Sequence, residues 1–191
     1  AHQVTAEQLM RLREVADDPR LVAFGEMGLD YHYPEPPRQV QQDLFQAQLM
    51  AIGATSSALP IVIHCRNAVA DTLAMIRESG LPGERFVFHC FTEPPEDCRK
   101  VLDAGCMVSI TGIVTYKNAP EVRESAKLIP DDRIMIETDA PYLSPEPHRK
   151  VRPNEPKFVA ATAAFLADLR GVTLEQFIGQ TDANAKRFYG V

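Results

Sequence analysis

Four apolar stretches of the sequence each run into a side chain that can bind a metal ion: Glu26 in GEMGLDY, His64 in IVIHCR, His89 in FVFHCF, and Asp139, together with Glu137, in IMIETDAP. Taken singly, each has an ordinary explanation as a loop carboxylate or a hydrogen-bonded core imidazole. Two imidazoles and two carboxylates gathered at one sheet edge are costly to bury without a compensating charge, so together they predict a metal centre. A mixture of imidazole nitrogen and carboxylate oxygen suits Zn, Mn, Fe or Ni, and Mg where the carboxylates dominate. Glu26, His64, His89 and Asp139 are the expected ligands of one or two divalent ions. Asp139 is also expected to take a proton from an attacking water. Glu137 is expected on the opposite side of its strand, as a structural carboxylate bonded to loop or neighbouring backbone groups.

Around these residues lie candidates for gripping a substrate. Arg66 follows His64 by two and so faces the same side of a strand; a phosphate contact and a loop ion pair both suit it. His148, Arg149, Lys150 and Arg152 form the densest basic cluster in the chain, in PEPHRKVRPNEP. That cluster is either a solvated loop or a phosphate-backbone contact beside the metal centre. Arg66, Arg149, Arg152 and Asn154 are the substrate contacts expected from this reading. Cys65 and Cys90 are expected to turn away from the histidines into packing, and His32 to be a solvated loop residue.

The elements that must position these groups show in the hydrophobic pattern. Runs at Leu21–Gly25, Pro60–His64, Arg85–His89, Cys106–Thr111 and Arg133–Glu137 are apolar without alternation, as in strands covered on both faces of a parallel sheet. Helical patterns separate them: one with Val40, Leu44, Ala47 and Ala51 on its face, and others over Ala68–Ser79, Glu96–Ala104 and Pro120–Leu128. Thr5 with Gln8, and Thr173 with Gln176, have capping-box spacing. Asn154 precedes a face made by Phe158, Ala161, Phe165 and Leu169, which Gly171 ends. The alternation predicts one α/β domain over residues 1–191, with about five parallel βα units and the polar residues at the carboxyl edge of the sheet.

Composition narrows the choice of function. The 191 residues are 45% apolar, enough for a core, with a mean hydropathy of −0.18. No run approaches the roughly 18 apolar residues of a membrane span, and four cysteines without CxxC spacing suggest free thiols. A cytoplasmic setting is the expectation. The net charge of −6 argues against a broad basic nucleic-acid surface, so a nucleic acid would have to be gripped locally, by bound cations and a few arginines.

GEMGLDY, IHCR, FHCFTE, SITGIV, ETDAPYL, HRKVRPNEP and TDANAKRFYG resemble, in order and spacing, the TatD-type deoxyribonucleases of the amidohydrolase superfamily. The resemblance implies a TIM-like (β/α)8 barrel, a centre of one or two metals (Mg, Zn or Mn), and hydrolysis of phosphodiester bonds in DNA or RNA, with 3′-to-5′ exonuclease action. It implies that Glu26 is shared between two metals, that His64 and His89 bind one of them, and that Asp139 binds the other and serves as base. Members supply an HxH pair from a first strand, and two further βα units, ahead of GEMGLDY; no HxH occurs in these residues. Five strands do not close an eight-stranded barrel, so an incomplete barrel is expected, with open edges that invite oligomerisation. Rival expectations are another ester or amide hydrolase of the superfamily, such as an aminoacyl-tRNA deacylase, or an inactive scaffold.

Overall fold

The structure is a computed structural model that describes Val4 and residues 6–191. His2 and the Thr5 end of the expected first capping box lie outside the described residues. In chain order the elements are α1 (Ala6–Glu14), β1 (Phe24–Asp30), α2 (Arg38–Gly53), β2 (Ile61–Arg66), α3 (Val69–Ser79), β3 (Phe86–Phe88), α4 (Pro95–Asp103), β4 (Met107–Ile110), α5 (Pro120–Leu128), β5 (Ile134–Ile136), α6 (Val159–Arg170) and α7 (Leu174–Tyr189). All five strands are parallel and lie in chain order β1-β2-β3-β4-β5, so the sheet is an open arc of a TIM-like barrel that does not close.

The five strands and their helices stand where the apolar pattern puts them, with one informative displacement. β1 begins and ends later than Leu21–Gly25, so that Glu26 lies within the strand. Gly25 and Gly28 lie inside this strand and permit close strand approach: a Cβ on Gly28 would collide with the carbonyl oxygen of His64, and its φ of +142° suits glycine. Phe24 pairs with Ile61 but Met27 with Ile63, three residues against two, so β1 carries a one-residue bulge. The bulge lets Phe24 pack among the helices while Glu26, two residues on, faces His64.

Side-chain alternation divides the sheet into two faces. Ile61, Ile63, Phe86, Phe88, Val108 and Ile110 pack outwards in the main core with α2 to α6. Each fully buried side chain there contributes about 1.5–3 kcal/mol. The other face carries Val62, Val87, Met107 and Met135, covered by Ala185, Phe188 and Tyr189 of α7. One step further along the same strands come His64, His89, Ser109 and Glu137, so the two candidate ligands His64 and His89 stand on an apolar floor.

The helices depart from expectation in two places. α2 buries Gln41, Phe45, Leu49, Ala51 and Ile52 rather than the Val40–Leu44–Ala47 stripe, because the bulkier Phe45–Leu49–Ile52 set has equal helical spacing. α6 starts at Val159, after a 3-10 turn at Pro156–Phe158. Asn154 does not cap it; its side-chain amide donates to the carbonyl of Tyr142. The Thr173–Gln176 capping box forms in both directions, and Gly171 ends α6 at φ 69°. The cysteines are free, as expected.

Candidate metal centre

Glu26 from β1, His64 from β2 and His89 just beyond β3 bring one ligand atom each within 4.8 Å of one another. The two oxygens of Glu26 divide between the rings: Oε1 lies 3.8 Å from Nδ1 of His64, and Oε2 lies 3.2 Å from Nε2 of His89. Parallel pairing causes this convergence, since Gly28 is opposite His64 in the β1–β2 register. The imidazole of His89 is only 10% exposed, yet its Nε2 has no hydrogen-bond partner, because the approach to Glu26 lacks hydrogen-bonding geometry. A buried nitrogen left so costs about 1–3 kcal/mol. A divalent cation among these two nitrogens and the Glu26 carboxylate would satisfy it, so the donor set fits a metal of the Zn, Mn or Fe kind.

The surroundings orient the ligands. Nε2 of His64 lies 3.0 Å from Oδ2 of Asp30. With the Nε2 proton donated to that carboxylate, the Nδ1 lone pair is left facing Glu26. Asp30 is held in turn by the buried amide of Gln41, whose Oε1 accepts from Asp30 N and whose Nε2 donates to Asp30 O, both at 2.8 Å. Neither residue stood out in the sequence. Asp30 could have, because it lies two alternations beyond Glu26 on the same strand, whereas Gln41 looks like a surface residue of α2.

Glu137 bonds to neighbouring backbone as expected, with Oε1 accepting from Cys90 N at 2.6 Å. Its placement away from the site is corrected: that oxygen is 3.7 Å from Nδ1 of His89, since residues two apart, like Glu137 and Asp139, share one face of a strand. At 3.7 Å Glu137 acts on the ring through charge. Burial opposes protonation of His89, but the charges of Glu137, Glu26 and Asp139 outweigh it and raise the pKa above the ordinary imidazole value. Asp139, half-buried, is not among the three residues that converge. Burial raises its carboxyl pKa, Glu137 and Glu26 add to the rise, and His89 and His64 oppose it, so it lies in the electrostatic field of the same site.

The two flanking thiols are not ligands in waiting. Burial pushes both Cys65 and Cys90 to about 12, and their sulfurs approach Thr72 Oγ1 and Thr111 Oγ1. Arg66 lies with its guanidinium 5.6 Å from the ring centroid of Tyr33. Arg149 and Arg152 are exposed and line a cavity of about 170 Å³ with Pro141, Tyr142, Leu143 and Ser144; Arg149 also sits 3.6 Å over the Tyr116 ring. Asn154 is 4% exposed and tied to the Pro141–Tyr142 loop by its side-chain amide and its backbone N–H. His148 stacks on Phe158 with ring centroids 4.3 Å apart.

Comparison with known proteins places this geometry. Residues 1–190 match the family described as TatD related DNase. A Bacillus subtilis protein named as the uncharacterized metal-dependent hydrolase YabD is 38% identical over 191 residues, spanning all of this chain and 74% of that protein. The Erwinia billingiae protein named 3'-5' ssDNA/RNA exonuclease TatD is 39% identical over 197 residues, spanning 99% of this chain and 73% of its own length. The crystal structure of the TatD homologue YJJV from Escherichia coli superposes with a TM-score of 0.87 at 26% identity, covering 97% of this chain and 70% of that one. With the fold, the converging Glu26, His64 and His89, and these matches in agreement, the chain belongs to the TatD family of metal-dependent hydrolases.

Proposed function

We propose that this chain contributes the catalytic face of a deoxyribonuclease that hydrolyses phosphodiester bonds, working 3′ to 5′ on single-stranded DNA and accepting RNA. The observation that carries the reading is the Glu26 carboxylate bridging two histidine nitrogens, one of them buried and without a partner. The substrate class is supported by the name of the Erwinia billingiae relative and by arginines on the loops around an otherwise acidic centre.

His64, His89 and Glu26 would hold a divalent ion, with Asp30 fixing the His64 ring. Such an ion supplies Lewis acidity, polarising a phosphoryl oxygen and making water more acidic. Asp139 accepts the proton of the attacking water; its carboxyl pKa, raised by burial, makes it a better base than a solvated aspartate. Arg66 offsets the charge that develops on the phosphoryl oxygens. Arg149 and Arg152 contact the nucleic-acid backbone, and the buried Asn154 acts on substrate only through the loop it holds.

The test is release of nucleotides from end-labelled single-stranded DNA in Mg²⁺ or Mn²⁺, with wild type against Asp139→Asn. Loss of a general base predicts a rate at least about 100-fold lower, with metal binding retained. Equal cleavage by the variant, or no cleavage by the wild type in either metal, refutes the reading.

A further inference from the structure

Glu93 is the only Asp, Glu, Lys or Arg whose side chain is buried among the described residues, at 7% exposure. It lies in the loop between β3 and α4, two residues before that helix, and is no part of the converging ligand set. Burying a carboxylate is expensive, and this one shows the expected consequence, a pKa raised by desolvation. The loop is already anchored through its backbone, where the carbonyl of Glu93 accepts from Ser125 Oγ at 2.9 Å.

What the carboxylate does instead is reach across to the end of β2. Its Oε1 accepts from the backbone N–H of Asn67 at 2.7 Å. Asn67 has φ 55°, in the left-handed region that asparagine adopts more readily than other non-glycine residues, and the bond to Glu93 holds the turn there. The residue immediately before it is Arg66, whose carbonyl accepts from Tyr31 N at 2.9 Å. The backbone of Arg66 is thus pinned from β1 on one side and from Glu93 on the other. Its guanidinium makes no carboxylate ion pair within 4 Å among the described residues, although its charge acts on Glu93, and it lies near Tyr33, on the strand face that His64 shares.

We propose that Glu93 is a positioning residue: by holding the Asn67 N–H it fixes the turn after β2 so that the Arg66 guanidinium stands ready for a substrate phosphate. The inference rests on the phosphodiester reading above and adds a determinant of substrate binding outside the metal ligands. A buried carboxylate on a backbone N–H is a strong, charge-assisted tie, but the tie needs only an acceptor. Glutamine at this position retains one and carries no charge to desolvate.

The test uses the full chain with a fluorescent single-stranded DNA oligonucleotide, reading Kd by anisotropy and KM and kcat by cleavage in Mn²⁺. Glu93→Ala is expected to raise Kd and KM about tenfold, as is Arg66→Ala, each with a fall in kcat for the developing charge that Arg66 no longer offsets. The double variant is expected to be no worse than Arg66→Ala alone, and Glu93→Gln to restore binding. Should Glu93→Ala not fold, Glu93→Asp, which withdraws the acceptor by one methylene while keeping the charge, is expected to show the same rise in KM. Wild-type Kd and KM in Glu93→Ala or Glu93→Asp, multiplied losses in the double variant, or a fall in kcat at constant KM overturns the inference while leaving the nuclease reading intact. A wild type that neither binds nor cleaves the oligonucleotide overturns both.

Discussion

Replacing Asp30 with alanine removes the carboxylate 3.0 Å from Nε2 of His64 and touches none of the three converging ligand atoms. The ring then loses the partner that directs its Nδ1 toward Glu26. Outer-sphere carboxylates of this kind are worth about 10- to 100-fold in metal affinity, or about 1.4–2.7 kcal/mol. The Asp30 side chain is 28% exposed, so water partly screens it and can partly replace it, which puts the expectation for Asp30→Ala near the lower end, about 10- to 30-fold. Asp30→Asn keeps an acceptor without the charge and should lose only about threefold. The assay is calorimetric titration of Mn²⁺ or Zn²⁺ into chelator-stripped protein, with metal-free melting curves to show that the fold persists. If Asp30→Ala binds metal within about twofold of wild type while His64→Ala does not bind, the carboxylate does not orient the ring and the reasoning fails.

Three further outcomes follow from the same geometry. Gly28→Ala should destabilise by about 2–5 kcal/mol, because it combines a positive φ with collision against the His64 carbonyl, whereas Gly179→Ala, with open space around it in α7, should stabilise by about 0.5–1 kcal/mol; urea unfolding of both variants checks the pair. Asn184→Ala should cost about 1.5–3 kcal/mol, since its buried amide donates to the carbonyls of Asp131 and Ile134 at 2.7 and 2.8 Å, and a loss under about 0.5 kcal/mol in the same experiment would contradict that role. Because His89 is held protonated to higher pH than a free imidazole, its contribution to the stability of metal-free protein is fully present below about pH 6.5 and is lost as pH rises through the folded value. Metal must displace that proton, so metal affinity should fall as pH drops through the same range; melting curves with chelator or with saturating Mn²⁺ should show opposite pH trends, and parallel trends would refute the assignment.

The linear sequence determined the larger pattern. Unbroken apolar runs such as IVIH and FVFH can be strands only if both faces are covered, which demands parallel pairing and intervening helices. The same runs carry His64 and His89 to the edge where parallel strands end, and Glu26 is legible as a candidate partner by the same rule, whereas Asp139, read the same way, does not join the three that converge. Only the tertiary structure decided the finer assignments. The β1 bulge shifts the side-chain phase by one residue and turns Glu26 towards the histidines, an event that the apolar pattern of Leu21–Gly25 does not mark. Gln41 and Glu93 look like solvated side chains in a helix and a loop; their importance comes from backbone N–H groups on β1 and in the turn after β2, 11 and 26 residues away in the chain. Asn154 fits a helix start by its neighbours, yet its amide is drawn to Tyr142 by a fold in the loop after β5. Periodicity reports which face of an element is apolar, whereas hydrogen bonds between distant segments depend on where the chain returns, and that is settled only when the sheet and its helices pack.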